Sequence, residues 1–324
     1  MLNQNLSESK ILVTGGAGFI GANFVKMISL KKQCKKVYVI DSLSYAADLR
    51  RLNDVMSEIE FIKADLNELD LYSKILPDID FVVNFAAQTH VDRSIDNGFE
   101  FIQSNIMGSY ALFEGCRSHP RIKLIHISTD EVYGSLPTGE ASEDANLNPS
   151  SIYSASKTSS DLLALANYIT HKQPVVITRC TNNFGPYQNS EKFIPTVINN
   201  LLLDKKVPIY GSGLNTREWI HVSDHNSAIL SIMSNFPSGS VFNIGSRERI
   251  SNYDLAVKIA QILHKSSDLL EFVEDRKGHD FRYALDSSRI ESLIGWTPKI
   301  SFDEGLKETV SWYKNWYDTN GEVY

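Results

Sequence analysis

Cysteine is scarce in this sequence of 324 residues, which contains three: Cys34, Cys116 and Cys180. Their wide spacing and odd number do not suggest a disulfide framework and favour a reducing compartment. No apolar stretch approaches the ~20 residues that a membrane span requires. The segment Met1–Lys10 is polar and lacks the apolar core of a secretory signal. We therefore expect a cytoplasmic protein that has no membrane partner.

Long basic runs are also missing. The formal net charge is -7 at pH 7, and no run of lysine and arginine is long enough to follow a phosphate backbone, so nucleic acid is not an expected partner. Hydrophobic residues make up 42% and charged residues 22% of the chain, which is typical of a globular protein rather than a disordered one.

Short apolar runs alternate with longer amphipathic stretches through the first half of the chain. Because the runs are continuously apolar, they are typical of buried parallel strands. The predicted strands are Ile11–Thr14, Val37–Ile40, Ile59–Ile62, Phe81–Phe85, Lys123–Ser128 and Val175–Thr178. The predicted helices between them include Phe19–Leu30, Phe99–Arg117 and Tyr153–Thr170. Repeated strand–helix units predict a parallel sheet that is covered by helices on both faces.

A glycine-rich turn connects the first predicted strand to the first helix. Gly15, Gly18 and Gly21 follow one another at intervals of three residues, a pattern that lets the backbone approach a pyrophosphate at the helix N-terminus. Asp41 ends the next strand, where a carboxylate accepts from ribose hydroxyls and repels a 2′-phosphate. The turn therefore predicts binding of NAD rather than NADP, and Asp65 is a candidate contact for the adenine.

The alternation of strands and helices becomes irregular after Thr181. We predict an α/β fold, a Rossmann-type doubly wound parallel sheet with a smaller C-terminal substrate-binding lobe. Residues 1–181 would form the NAD-binding domain and residues 182–324 mainly the second lobe. A segment near residues 220–250, including Val241–Ile244, would return to the first domain, and Phe302–Tyr317 is the last strong helix.

Two pairs of side chains carry candidate chemistry. Tyr153 and Lys157 lie four residues apart at the start of a predicted helix and so project from one face. A lysine charge near a phenol favours the phenolate, which can act as a base toward a hydroxyl. Asp130 and Glu131 follow a strand at the end of the sheet where ligands bind. Adjacent carboxylates repel, so a partly desolvated pair can supply one acid and one base.

The glycine turn together with Tyr153 and Lys157 resembles the extended short-chain dehydrogenase/reductase superfamily, whose members act on nucleotide sugars. The run Thr129–Gly134, Thr-Asp-Glu-Val-Tyr-Gly, resembles the dTDP-glucose 4,6-dehydratase family. Further segments match that family in order along nearly the whole chain: Ala86–Ser94, Pro149–Lys157, Asn182–Tyr187, Glu191–Pro195, Pro208–Gly211, Arg217–Trp219, Asn243–Gly245 and Asp275–Asp280.

The resemblance implies a hydro-lyase of deoxysugar biosynthesis that converts dTDP-glucose to dTDP-4-keto-6-deoxyglucose. Tyr153 would take the proton of the C4 hydroxyl while the C4 hydride passes to NAD+, and Thr129 would hydrogen-bond the C4 oxygen. Glu131 would remove the C5 proton as Asp130 protonates the leaving C6 hydroxyl, and the hydride would return to C6. Lys157 would assist Tyr153 in the oxidation.

The resemblance also assigns binding residues and a homodimer. The helices Phe99–Arg117 and Tyr153–Thr170 could pair across the dimer through apolar faces; the alternative is that these faces are buried against the sheet. The expected NAD contacts are Gly15, Gly18, Phe19, Ile20, Gly21, Asp41, Ser42, Leu43, Ser44, Asp65, Leu66, Phe85, Ala86, Ala87, Thr89, Ser104, Tyr153, Lys157 and Asn183. The expected contacts of a nucleotide-diphosphate hexose are Thr89, Thr129, Asn182, Lys192, Phe193, Pro208, Ile209, Tyr210, Arg217, Asn243, Asp275, Arg276 and His279.

Several alternatives stay open at this point. The substrate could be another nucleotide hexose, such as UDP-glucose or UDP-GlcNAc, because Lys277, Glu218 and His221 depart from the family's common residues. A sugar-nucleotide 4-epimerase or decarboxylase and a non-catalytic NAD-sensing protein are less well supported, because neither requires the consecutive acids and the Tyr–Lys pair together. His221 and His225 are spaced as zinc ligands can be, but without a supporting motif we expect no metal.

Overall fold

A computed structural model describes residues 5–275 and 279–324. Twelve strands occur in these ranges: β1 Lys10–Thr14, β2 Lys36–Asp41, β3 Ile59–Lys63, β4 Phe81–Asn84, β5 Lys123–Thr129, β6 Val175–Cys180, β7 Asn182–Phe184, β8 Val207–Tyr210, β9 Thr216–His221, β10 Val241–Ile244, β11 Arg249–Ser251 and β12 Leu270–Val273. Seven of them form one parallel sheet in the order β10-β6-β5-β4-β1-β2-β3. The direction of strand order reverses between β1 and β4, and such a switch point opens a crevice at the carboxyl ends of the strands.

The α-helices are α1 Phe19–Leu30, α2 Leu69–Ile75, α3 Val91–Asp96, α4 Gly98–Phe101, α5 Ser109–Arg117, α6 Ile152–His171, α7 Phe193–Leu202, α8 Val222–Asn235, α9 Asn252–Ile262, α10 Ser288–Ile294 and α11 Phe302–Asn320. Buried residues of α1, α8 and α10 pack on one face of the large sheet. Buried residues of α2, α5 and α6 pack on the other face. The sheet is therefore enclosed on both sides, which explains why its strands are continuously apolar.

The predicted fold class is confirmed, and the predicted strands and helices of the first half are present with ends shifted by at most two residues. One prediction differs in detail. The helix Phe99–Arg117 is interrupted by a π-helical stretch, Ile102–Gly108, between α4 and α5. Such a local widening changes which residues face the sheet, and a regular period of 3.6 residues cannot predict it.

The remaining strands build a smaller layer beside the large sheet. One sheet has the order β11-β9-β7 and the other pairs β12 with β8. Apolar residues of α7, α9 and α11 cover these strands in a separate buried cluster. No helix among the described residues is long and apolar enough to cross a lipid bilayer.

Candidate active site

The glycine turn between β1 and α1 is packed so tightly that a side chain at Gly15 or Gly21 would clash with backbone atoms. Gly15 has a φ of +67°, and a Cβ atom there would lie 2.6 Å from the backbone nitrogen of Ala86. A Cβ atom at Gly21 would lie 2.4 Å from the Gly15 carbonyl oxygen. Gly18 occupies the N-cap of α1 and has no side chain with which to cap the first-turn N–H groups. This bare, electropositive helix end fits the pyrophosphate of a dinucleotide.

Asp41 lies at the end of β2 beside this turn. Its carboxylate accepts hydrogen bonds from the backbone N–H groups of Ala17, at 2.9 Å, and Leu43, at 2.8 Å. Burial raises the pKa of Asp41 while these two hydrogen bonds lower it. Each oxygen keeps further acceptor capacity, which is the chemistry that a ribose hydroxyl requires.

A first cleft opens between the turn and the ends of β2, β3 and β4. Most of the predicted NAD contacts line it: Gly15, Gly18, Asp41, Ser42, Ser44, Asp65, Leu66, Phe85, Ala86, Ala87 and Ser104. Leu43 does not line it; its φ is +56° and its side chain packs against the apolar core. The contact expected of Leu43 is therefore limited to its backbone, which orients Asp41.

A second cleft continues from the glycine turn across the end of β5. The other predicted NAD contacts line it: Phe19, Ile20, Gly21, Thr89, Tyr153, Lys157 and Asn183. Thr129 and Glu131 line the same cleft. The structure thus brings four of the five predicted catalytic side chains to one cavity beside the predicted cofactor site.

The backbone that follows β4 is held by Asn105, in the π-helical stretch. The Asn105 carboxamide accepts from the N–H of Gln88 at 2.8 Å and donates to the carbonyl of Gln88 at 3.0 Å. It also donates to the hydroxyl of Ser156 on α6 at 2.8 Å. Asn105 therefore fixes the segment that follows β4 against the helix that carries Tyr153 and Lys157.

Tyr153 is nearly enclosed, with 7% of its surface exposed. Burial raises its pKa well above the ordinary value, and the nearby Glu131 adds to the rise. A hydrogen bond with Thr129 acts in the opposite direction. The phenol is therefore held as a neutral proton carrier in the protein alone.

Lys157 is buried one helical turn after Tyr153, with 3% exposure. Its ammonium group donates to the carbonyl of Ile127 at 2.7 Å. Burial lowers the pKa of Lys157 to about 8, although Asp161 acts to raise it. That the lysine charge favours the phenolate stays a prediction, because burial and the nearby Glu131 are the largest influences on the pKa of Tyr153 in the protein alone.

Asp130 differs from its neighbour Glu131, because only 1% of its surface is exposed and it does not line the clefts. Burial raises its pKa well above the ordinary value, and Glu131 and Glu218 add to the rise. The hydroxyl of Thr129 donates to Asp130 Oδ1 at 3.2 Å. The two consecutive carboxyls thus lie in different environments, one sealed and one at the cavity wall, which favours a division into acid and base.

A third cleft joins the second and leads toward the smaller layer. Most of the predicted substrate contacts line it: Thr89, Asn182, Lys192, Phe193, Pro208, Tyr210, Arg217 and His279. The Lys192 ammonium donates to the carbonyl of Thr89 at 2.9 Å. The Arg217 guanidinium lies 4.6 Å from the ring centroid of Tyr283. Lysine, arginine and histidine in one cleft suit an anionic group such as a diphosphate.

Three predicted substrate contacts lie elsewhere. Asn243 is fully buried; its amide donates to the carbonyls of Ala141 and Asp286, at 2.9 Å and 3.1 Å. Ile209 is a fully buried residue of β8. Asp275 accepts from Nδ1 of His279 at 2.7 Å and so orients that histidine from outside the cleft. Arg276 and Lys277 fall outside the described residues.

Sequence reasoning missed several residues of the third cleft. Asn252, the first residue of α9, and Tyr283 line it, and Glu191 and Trp219 line both it and the second cleft. Glu191 belongs to a matching segment but was not predicted as a contact. Asn252 had no comparable signal, because it follows β11, a three-residue strand paired antiparallel with β9 that the sequence did not predict.

The two spaced histidines lie at the N-cap and within the first turns of α8. Nδ1 of His221 accepts from the N–H of Ser223 at 3.4 Å, and His225 is fully buried. Burial lowers the pKa of His225 to about 3. Within residues 5–275 and 279–324, no group of three or more potential ligands is placed to hold a metal ion.

Known proteins match this chain over nearly its whole length. The family model of GDP-mannose 4,6 dehydratase matches residues 12–309. A dTDP-glucose 4,6-dehydratase of Streptomyces niveus is 42% identical over 313 residues, which cover 94% of this chain and 93% of that protein. The chain belongs to the dTDP-glucose 4,6-dehydratase family.

Solved structures agree with the family. A dTDP-glucose 4,6-dehydratase from Streptomyces venezuelae, crystallised with NAD, has a TM-score of 0.93 and 39% identity and covers 96% of this chain and 98% of its own. The UDP-glucuronic acid 4-epimerase from Bacillus cereus reaches a TM-score of 0.89 at 31% identity, over 95% of this chain and 100% of its own. Because the fold is shared between reactions, the side chains of the clefts must decide the chemistry.

Proposed function

We propose that this protein is an NAD-dependent dTDP-glucose 4,6-dehydratase that forms dTDP-4-keto-6-deoxyglucose. The observation that carries the proposal is that two groups of reactive side chains lie close together at the end of β5. Thr129, Tyr153 and Lys157 form a redox set, and Asp130 and Glu131 form an acid–base pair in the adjoining turn. Oxidation of a hydroxyl needs the first set, and removal of water needs the second.

The first cleft and the glycine turn fit NAD. The uncapped start of α1 would hold the pyrophosphate, Asp41 the adenosine ribose, and Asp65 the adenine. Bound NAD supplies a hydride acceptor for sugar C4 and, later in the cycle, a hydride donor for C6. The protein's own contribution is to position these groups and to move protons.

In the oxidation step, Tyr153 takes the proton of the C4 hydroxyl and Thr129 hydrogen-bonds the C4 oxygen. Tyr153 must ionise to accept this proton, yet its pKa is raised in the protein alone. The charge of Lys157, whose pKa is about 8, supports that ionisation most effectively once the cleft is closed and dry.

In the elimination step, Glu131 takes the C5 proton, which the C4 ketone has made acidic. Asp130 gives a proton to the C6 oxygen, which leaves as water, and a C5–C6 double bond forms. A raised pKa keeps Asp130 protonated and ready to donate. Because Asp130 is sealed in the free protein, its donation requires a small shift of the Asp130 carboxyl group when substrate binds.

The third cleft would bind the nucleotide diphosphate through Lys192, Arg217 and His279. Asn182 and Asn252 supply amide groups in the same cavity. Arginine and lysine match phosphate oxygens by charge, and the guanidinium matches them also by its fork of donors. We place the NAD-binding domain at residues 1–181, with β10 added to its sheet, and the substrate lobe mainly at residues 182–324.

We further propose a cytoplasmic homodimer. The three cysteines are free thiols, as suits a reducing compartment. Large apolar side chains are exposed on the helix pair formed by residues 98–117 and α6: Phe99, Ile102, Met107, Tyr110, Leu162 and Ile169. Several large apolar side chains exposed on one helix pair are typical of an interface, and a second copy of the same helix pair would cover them.

The experiment that tests the function offers the NAD-loaded protein dTDP-glucose, UDP-glucose and UDP-GlcNAc in separate reactions. Mass spectrometry would detect loss of one water molecule from the sugar. We expect conversion of dTDP-glucose and slower or no conversion of the uridine compounds. Preferred conversion of a uridine compound would reassign the substrate, inversion at C4 without water loss would indicate a 4-epimerase, and no reaction would contradict catalysis.

Glu131→Gln separates the two steps of the proposed reaction. We expect water loss to fall by about 100-fold or more, while oxidation at C4 continues and NADH absorbance persists. Glu114→Gln is the matched control, because Glu114 is paired with Arg117 on the surface of α5. Equal loss of both steps in Glu131→Gln would contradict the division of roles.

A further inference from the structure

A buried ion pair connects β6 to α6, the helix that carries Tyr153 and Lys157. Arg179, on β6, donates from Nε to Oδ2 of Asp161, on α6, at 3.0 Å. Arg179 is 3% exposed and Asp161 is fully buried. Desolvation offsets most of the attraction in such a pair, so it contributes little net stability. Its location between catalytic elements points to a different use.

One end of the pair reaches the helix of the redox set. Asp161 follows Lys157 by four residues and Tyr153 by eight, so the three lie on one face of α6. Asp161 is close enough to Lys157 to act on its proton affinity. Fixing Asp161 against β6 therefore fixes the rotation of α6 that aims both catalytic side chains at the cleft.

The other end reaches the turn of the acid–base pair. Nη1 of Arg179 donates to the hydroxyl of Tyr133 at 2.8 Å, and that hydroxyl donates to Oδ1 of Asn243 at 2.8 Å. Tyr133 ends the 3-10 turn that begins at Asp130. Since that turn has only four residues, fixing the position of Tyr133 also restricts the backbone position of Glu131, two residues before it.

We propose that the chain of contacts Asp161–Arg179–Tyr133 sets the position of the elimination turn relative to the redox helix. Arg179 is then a positioning residue for both half-reactions, and Tyr133 is one for the elimination. This inference rests on the proposed dehydratase activity. It also accounts for Asn243, which holds the Tyr133 hydroxyl from β10 instead of contacting substrate.

Tyr133→Phe is the sharpest test, because it keeps the ring in the core and removes only the bridging hydroxyl. In single-turnover reactions with dTDP-glucose, we expect elimination to slow by about 10-fold and NADH to accumulate. The KM should stay within about 2-fold, because this part of the protein does not bind the nucleotide. Asp161→Asn should instead slow C4 oxidation, without NADH accumulation.

Tyr72→Phe is the matched control, because Tyr72 is a second buried tyrosine with a hydrogen-bonded hydroxyl. Its hydroxyl donates to the backbone carbonyl of Leu66. This variant should leave the ratio of the two rates unchanged. Arg179→Lys keeps a positive charge beside Asp161. Its rate of C4 oxidation should therefore stay closer to the wild-type rate than its rate of elimination does. Arg179→Met tests the complete loss of the contacts and should slow both steps, but it is the variant most exposed to misfolding.

An unchanged ratio of oxidation to elimination in folded Tyr133→Phe would overturn the positioning role, as would a change equal to that of Tyr72→Phe. Failure of the proposed function would look different, because the wild-type protein itself would then release no dehydrated sugar.

Discussion

The hydroxyl of Tyr324 accepts a hydrogen bond from Nε of Arg51 at 3.0 Å. Arg51 is 2% exposed, and its Nη1 donates to the carbonyls of Ala17, in the glycine turn, and Ala46, in the wall of the first cleft. The backbone carbonyl of Tyr324 accepts from Asn199 on α7. A residue of the smaller layer is thus connected through one buried guanidinium to the predicted NAD site.

Arg51→Leu should weaken NAD binding by about 10-fold, because the backbone carbonyls of Ala17 and Ala46 lose the hydrogen-bond donor that they share. Tyr324→Phe keeps the ring and removes only the hydroxyl that orients Arg51. It should lower the affinity for NAD by about 2-fold to 5-fold. Titration of NAD into cofactor-free protein, followed by fluorescence or calorimetry, measures both effects.

Arg50→Ala supplies the control for this pair. Arg50 also contacts the ring of Tyr324, at 5.4 Å, but its hydrogen bonds go to the half-buried Asp48 and not to the carbonyls of Ala17 and Ala46. We expect its NAD affinity to stay within about 2-fold of wild type. Similar losses in Arg50→Ala and Arg51→Leu would show that the aromatic contact, not the bond to Ala17, supports the loop.

Gly15→Ala should destabilise the protein by about 2 kcal/mol or more and abolish tight NAD binding, because φ is unfavourable and the new Cβ meets the Ala86 backbone. Gly139→Ala provides the comparison. Its φ is +72°, but a Cβ there would meet nothing within 4 Å, so only the backbone strain of about 1 kcal/mol remains. Equal values from urea unfolding would mean that crowding at the turn does not matter.

Much of the fold could be predicted because it depends on local periodicity. Each buried strand of the large sheet is a short apolar run. The glycine turn was also predictable, because the spacing of its glycines is typical of a tight strand-to-helix turn. The return of Val241–Ile244 to the first domain was predicted, but its place beside β6 was not, since a strand that returns after an irregular stretch has no local signal of its destination.

The site was harder to predict where burial decides the role. Asn243 and Asn252 are alike as residues, yet one is enclosed in the core and the other lines the third cleft. Asp130 and Glu131 are adjacent in sequence but differ in exposure. The effect of Lys157 on Tyr153 depends on a balance between charge and desolvation, which residue spacing cannot reveal.

Leu162→Glu should disrupt the proposed homodimer. Leu162 is 52% exposed on α6, and a carboxylate buried there against a second copy would lack a partner. We expect dimerisation to weaken by about 30-fold or more, as measured by sedimentation at several concentrations. Leu293→Glu is the control, because Leu293 is 50% exposed on α10, away from the helix pair. Equal dissociation in both variants, or none in Leu162→Glu, would contradict this interface.

Asp130→Asn should make the protein more stable while it lowers water loss by about 100-fold or more. The raised pKa of Asp130 means that the folded protein binds this proton more tightly than the unfolded chain does. The stability that this group contributes is therefore present at low pH and is lost as the pH rises toward the folded-state pKa. Asparagine does not titrate, so its advantage over wild type should grow with pH.

We expect the gain to be about 1 kcal/mol or more by urea unfolding at about pH 8, and smaller at about pH 5. Asp96→Asn, at an exposed position of α3, should change stability by less than about 0.5 kcal/mol at either pH. A loss of stability in Asp130→Asn that is the same at both pH values would mean that the carboxyl is held ionised, and Asp130 could not then be the proton donor to the C6 oxygen.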